Sequence, residues 1–290
     1  MSGPESTAAA PHGEGRLSRS WRLTRAAWRV VRHDRALLTL GAISVVSGAI
    51  GLALIFVLSG SFDHDRLAGD QILLFTLIFA YPLTLLSVFL NTAIAASAAA
   101  ALEGRRLSLG QALAVPMRRI GAVALWALIA AVVGFVLEQL LSKLPLGGSI
   151  VARLVGLGWS LASLFAIPIL ALEDCSAPDA LKRSAHVVKK RWGESIGGNV
   201  IIGAWMAIAI LAIVVLSAIG AVAANDVPAV RDAIIVVGVL ALVSVVALQL
   251  LVRQTFAVAL YRYATTGEAP GPFADGDLQA PFGRSSRRAT

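Results

Sequence analysis

Long apolar runs alternate with short polar segments along almost the whole chain. A hydrocarbon core of ~30 Å takes about 20 helical residues at ~1.5 Å rise each. Runs of that length lie near 36–60, 72–94, 120–141, 154–172, 196–223 and 233–256, and they predict six transmembrane helices. The second run stays apolar to Leu102, too long for one upright helix. It therefore tilts, bends at Pro82, or projects its alanine-rich end "AIAASAAAAL" into the cytoplasm.

The polar segments repeat a pattern. Before each odd-numbered span comes a short basic segment: Ser20 to Arg35, Ser108 to Arg119, and Ser176 to Arg191. Ser176 with Asp179 three residues on, and Ser108 with Gln111, have the spacing of a capping box, and Pro178 suits a first helical turn. Each segment therefore starts a helix. In the first, Arg22, Arg25, Arg29 and Arg32 fall within a sector roughly 80° wide, bordered by Trp21 and Trp28. In the third, Leu181, Ala185, Val188 and Trp192 share one side, while Lys182, Arg183, His186, Lys189 and Lys190 share the other. Helices of this kind lie in the membrane interface, with tryptophans as anchors and cations at anionic headgroups. The predicted fold is all-α: a polytopic membrane protein with six spans as three hairpins, each preceded by a short basic amphipathic helix.

Charge orients these hairpins. All but four of the 25 Lys and Arg fall on the side of the termini and the basic segments; Arg66, Lys143, Arg153 and Arg231 fall on the other. Because short cytoplasmic loops collect Lys and Arg, both termini are expected inside, with "SFDHDRLAGD" outside.

Composition agrees: 57% hydrophobic residues, 14% charged, mean hydropathy +0.78. The net charge of +8 points to anionic inner-leaflet lipid, because no basic soluble surface with base-stacking aromatics is available for nucleic acid. Cys175 is the single cysteine, and His12, His33, His64 and His186 are scattered, so neither a metal nor another cofactor is expected. Nucleotide-loop, zinc-protease and nucleophile-elbow motifs are missing. Ser184 and His186, two residues apart on a helix, point in nearly opposite directions and cannot form a nucleophile–base pair. Residues 1–19 are read as a disordered tail, 20–265 as the membrane domain with an uncleaved first span, and 266–290 as a cytoplasmic tail.

Polar groups within or bordering the spans are the candidates for a site. Glu138 either snorkels, pairs with Arg153 or lines a cavity; Arg253 snorkels at the inner end of span six. Asn91 and Asn199 suit interhelical hydrogen bonds, Pro168 removes a backbone hydrogen bond within span four, and Glu173 should meet Arg253 or Arg183 at the inner boundary. Gly41, Ser44, Gly48 and Gly51, and the "GLGWS" of span four, fit close helix packing.

The stretches "SWRLTRAAWRVVRHDRALLTL", "GLGWSLASLFAIPILALED", "ALKRSAHVVKKRWGESIGGN" and "ALYRYATTG" together resemble a family of multi-spanning prokaryotic membrane proteins of unknown function. The likeness runs from about Ser20 to Phe282 and includes Ser20, Trp21, Trp28, Trp159, Pro168, Glu173, Arg183, Ser184, Trp192, Gly193, Glu194 and Tyr261. It implies a polytopic helical fold and no known reaction. The expected role is a non-enzymatic, lipid-associated structural or accessory component of the cell membrane, with membrane lipid and a membrane protein as partners. A small-solute or lipid transporter is the alternative, with a cytoplasm-facing vestibule near Asn91, Asn199 and Arg253; a lipid-modifying enzyme comes third.

Overall fold

The computed structural model describes residues 16–60, 69–143, 146–192, 204–224, 227–273 and 278; side chains at 16–22, 52–60, 69–80, 141–153, 191–192 and 204–209 are not described. Among the described residues, regular structure is helical throughout. The helices are α1 (Arg16–Val31), α2 (Arg35–Gly60), α3 (Gly69–Leu102), α4 (Leu109–Arg118), α5 (Ile120–Lys143), α6 (Leu146–Ala162), α7 (Ala166–Leu172), α8 (Ala177–Trp192), α9 (Ala204–Ala223) and α10 (Pro228–Thr266). Four stretches are long and apolar enough to cross a membrane: Tyr81–Leu102, Ile120–Leu140, Leu154–Leu172 and Pro228–Thr266. A fifth arises if Leu23–Val31 and Arg35–Gly51, bent by 99°, count together. The outer stretch 61–68, the start of predicted span five at 196–203, and Asn199 lie outside the described residues.

Side-chain chemistry at the helix starts explains where the chain bends. Asp34 Oδ1 accepts from the backbone N–H of Ala36 at 2.9 Å and Leu37 at 3.1 Å, capping α2 and separating it from basic α1. Ser108 and Gln111 form the reciprocal capping box that opens α4. At α8, Ser176 Oγ accepts from the N–H of Asp179 and donates to its carboxylate at 2.6 Å.

Helices α3 and α10 form the axis of the molecule. The 34 residues of α3 reach about 51 Å and the 39 of α10 about 58 Å, well beyond a ~30 Å hydrocarbon core. α3 runs without interruption through Pro82, and its alanine-rich end is deeply buried: Ala93, Ile94, Ala95, Ser97 and Ala98 are fully enclosed. Small side chains let α1, α4, α7 and α10 approach this segment closely. Leu251 to Tyr263 of α10 lie beside it, together with Leu23, Ala27 and Val31 of α1 and Phe165, Ile169 and Leu170 of α7. This core sits at one end of the bundle, called here the elbow end. Beyond it α2 packs on α3, α5 on α6 and α9 on α10, with large apolar side chains facing outward.

Span four is not one kinked helix. It breaks at Ser163–Phe165, three residues before Pro168, so that Pro168 lies in the first turn of α7 where a missing N–H costs little. The small-residue reading holds in part. A Cβ at Gly41 would meet Leu251 Cδ1 at 2.7 Å, and one at Gly51 would meet Leu83 Cδ2 at 2.3 Å. Gly48 and Gly158 have no such neighbour among the described residues, and Gly156 only reaches Leu137 at 4.0 Å, so "GLGWS" is not a close-packing surface. Instead, Trp159 of that motif stacks on Trp126 of α5, with ring centroids 5.8 Å apart.

Candidate functional site

The densest polar arrangement lies at the elbow end, around short α7 and the strand-like turn that follows it. Glu173 ends α7 and turns the chain, its N–H still donating to Ile169 O at 2.7 Å. One carboxylate oxygen pairs with Arg183 of α8 at 2.6 Å, and the other accepts from the Tyr261 hydroxyl of α10. Two successive helices and the distant α10 thus meet on one carboxylate. The Tyr261 ring also lies 5.7 Å from Phe165, whose N–H donates to Ser184 Oγ at 2.9 Å. Phe165 lies in the break between α6 and α7, and the α8 serine supplies the acceptor that the interrupted helix lacks. On the other side of α7, Arg119 donates to Leu170 O at 2.9 Å and lies 3.9 Å from Asp174.

A second clamp joins the ends of the two long helices. Glu103, just past α3, pairs with Arg105 in its own loop and with Arg262 of α10. The hydrogen bond from Arg105, with help from Arg262, holds the Glu103 carboxyl below the usual carboxylate range against the opposing effect of partial burial. Cys175, two residues after Glu173, behaves oppositely: burial pushes its thiol up, and the nearby carboxylates of Glu173 and Asp179 push it further. A thiol so shifted carries little thiolate at neutral pH and is a poor nucleophile. These contacts can join helices; none sets a nucleophile against a base.

Helix α8 turns its cations the other way. Ala177, Ala180, Ser184 and Val188 are buried against the protein, with Leu181 and Ala185 half-buried at the edge. The inward face is therefore rotated from the expected Leu181–Ala185–Val188–Trp192 strip, and it meets α5, α6 and α7. Lys182, His186, Lys189 and Lys190 are exposed, and the last three line an open concavity. Ser184 inward and His186 outward are the opposed directions that the sequence predicts. Likewise α1 buries Leu23, Ala26, Ala27 and Val31 against α3 and α10 while Arg25, Arg29 and Arg32 are exposed, with Trp28 at the border.

A family model described as "Family of unknown function (DUF6159)" matches residues 69–271. The chain belongs to that family. No curated protein and no solved structure matched it. The DUF6159 range contains both clamps and all of α8, whereas Ser20, Trp21 and Trp28 precede it.

The remaining candidates separate. Of the two partners expected for Glu173, Arg183 is the one it meets; Arg253 is exposed on α10 and makes no ion pair among the described residues. It lies eight residues before Tyr261 on unbroken α10, about 12 Å away along the helix axis at ~1.5 Å rise per residue, which explains this. Asn91 makes no interhelical bond through its side chain, which donates to Ser87 O at 2.9 Å on its own helix; its backbone oxygen instead accepts from Gln254 Nε2 at 3.3 Å. Glu138 is exposed on α5, and its suggested partner Arg153 has no described side chain. The side chains of Trp21, Arg22 and Trp192 likewise lie outside the described residues, as do Gly193 and Glu194. Reading from sequence missed Asp34, although an Asp before "RALL" is a cap signal; it named Tyr261 only as part of the family likeness and missed its contact, and it missed the contacts of Arg119 and Glu103, whose partners lie too far along the chain for any local spacing to reveal.

Proposed function

We propose that this DUF6159 protein is a six-span component of a prokaryotic cell membrane, built as three hairpins with both termini inside. Its role is structural or accessory and non-enzymatic: it holds a helical platform, rich in cations, against the anionic inner leaflet. The observation that carries this reading is the segregation of the molecule. Outward-facing Leu216, Val222, Val237 and Leu240 suit a hydrocarbon surround, while at the other end Arg and Lys face outward over a buried core. The pairing of α2 with α3, α5 with α6 and α9 with α10 supports the hairpins.

The polar groups that a vestibule would need support the structural role over transport. Asn91 is turned onto its own helix, and Glu173 is held between Arg183 and Tyr261. Proteoliposome flux tests this, with vesicle integrity controlled and a panel of ions, sugars and amino acids inside or out. Wild-type vesicles should match protein-free vesicles. Saturable uptake that disappears in Arg253→Ala would replace the structural role with a transporter.

A further inference from the structure

At the elbow end Arg105, Arg119, Arg183 and Arg262 each have a carboxylate partner. His186, Lys189 and Lys190 have none among the described residues, yet they line the same open concavity, of about 330 Å³. Their spacing of three and four residues puts them on one face of α8, within reach of a common ligand. The helix that carries them is fixed from behind: Ala177, Ala180, Ser184 and Val188 are buried, Ser184 accepts from Phe165 N–H, and Arg183 one turn earlier is tied to Glu173. The three side chains therefore project from a rigid base. Two ammonium groups offer three donors each, and the imidazole offers at least one N–H in either protonation state. Such a set matches a compact anion with three or more acceptor oxygens, more than a carboxylate provides.

We propose that His186, Lys189 and Lys190 form a binding site for a phosphate ester, with a membrane lipid headgroup as its source. The lipid source rests on the reading that the elbow end faces the inner leaflet; the chemistry of the three side chains does not. Arg183 lies on the same side of α8 one turn before His186, but its guanidinium is already held by Glu173.

The test uses the full chain in phosphatidylcholine nanodiscs containing a small share of phosphatidylglycerol, with retained lipid counted by native mass spectrometry. A second arm titrates glycerol phosphate onto the protein in phosphatidylcholine alone. Lys189→Gln/Lys190→Gln is compared with Arg106→Gln/Arg118→Gln, which removes the same charge from exposed cations elsewhere at this end. The account expects a roughly tenfold loss of phosphatidylglycerol retention in the first variant, little change in the second, and recovery in Lys189→Arg/Lys190→Arg. Saturable binding of glycerol phosphate with the same variant pattern also supports the site and moves its source from lipid to a soluble ester. Equal losses in both glutamine variants overturn the site while leaving general anionic-lipid association intact. Wild-type discs that retain no excess of phosphatidylglycerol and bind no glycerol phosphate overturn both.

Discussion

The two ends of this molecule are built to opposite rules. At the elbow end Phe165, Leu170, Ile94 and Leu260 are fully buried, and Arg, Lys and Glu are prominent among the exposed positions, beside a few apolar ones such as Met117. At the far end the pattern inverts, with Val222 at 78% and Leu216 at 68% exposure on α9, and Val237 at 65% on α10. In water, apolar exposure this extensive drives association; in hydrocarbon it is neutral. Helix α10 passes through both regimes in one unbroken run, from exposed Val236 and Leu240 to buried Leu260 and Tyr263. The difference teaches that hydropathy locates the membrane and says little about where the tertiary structure is held. Among the described residues, the firmest packing lies where the ends of α3 and α10 meet the basic helices.

The largest effect that could break this comparison is core truncation. Phe165→Ala should destabilise the protein by about 3–5 kcal/mol, and Leu170→Ala by about 2–5 kcal/mol, by leaving cavities at the elbow end. Leu216→Ala and Val222→Ala should each cost less than about 1 kcal/mol, because no protein cavity forms. Unfolding in lipid nanodiscs measures both sets. Comparable losses at the two ends would mean that the far-end side chains pack against something beyond lipid.

The glycines sharpen the contrast with a difference of sign. Gly238→Ala would press a Cβ to 2.2 Å from Ser217 Oγ and 2.8 Å from its Cβ, and should cost about 1–3 kcal/mol by forcing α9 from α10. Gly48→Ala meets nothing within 4 Å and should stabilise α2 by about 0.5–1 kcal/mol. The same measurement reads both, and destabilisation by Gly48→Ala would place an unseen neighbour on that face.

Four of the six expected spans and the basic segments were legible because each is a local pattern: unbroken apolar length, clustered Arg and Lys, Ser–x–x–Gln and Ser–x–x–Asp caps. The continuation of α3 to Leu102 was legible too, in its unbroken apolar run. What no local pattern could reveal was the join between Glu173 and Tyr261, 88 residues apart, or between Arg119 and Leu170 O, 51 apart. The rotated face of α8 has a similar cause. Helical periodicity ranks Ser184 as polar, whereas its hydroxyl faces inward and accepts from the Phe165 N–H at the break in span four. Even the position of that break was misread, since Pro168 signals a helix start as readily as a kink.

A smaller effect concerns that join. Glu173→Gln and Arg183→Gln should couple by about 1 kcal/mol in a double-mutant cycle, since the pair is partly hydrated at Arg183, whereas Glu173→Gln and Arg253→Gln should be additive. Tyr261→Phe should cost about 0.5–1.5 kcal/mol by removing the second bond to the carboxylate. Coupling at Arg253 instead of Arg183 would require a different rotation of α10.

The central claim is that the elbow end faces the cytoplasm while the far end crosses to the outside, and impermeant-maleimide labelling tests it most directly. Single cysteines are placed at Ser61, Asn225, Arg106 and Glu268 in a Cys175→Ala background, which removes the one native thiol. On intact cells or spheroplasts, Ser61→Cys and Asn225→Cys should label, and Arg106→Cys and Glu268→Cys should label only after lysis. Labelling of Arg106→Cys and Glu268→Cys on intact cells, with Ser61→Cys and Asn225→Cys protected, would invert the protein in its membrane and contradict the account.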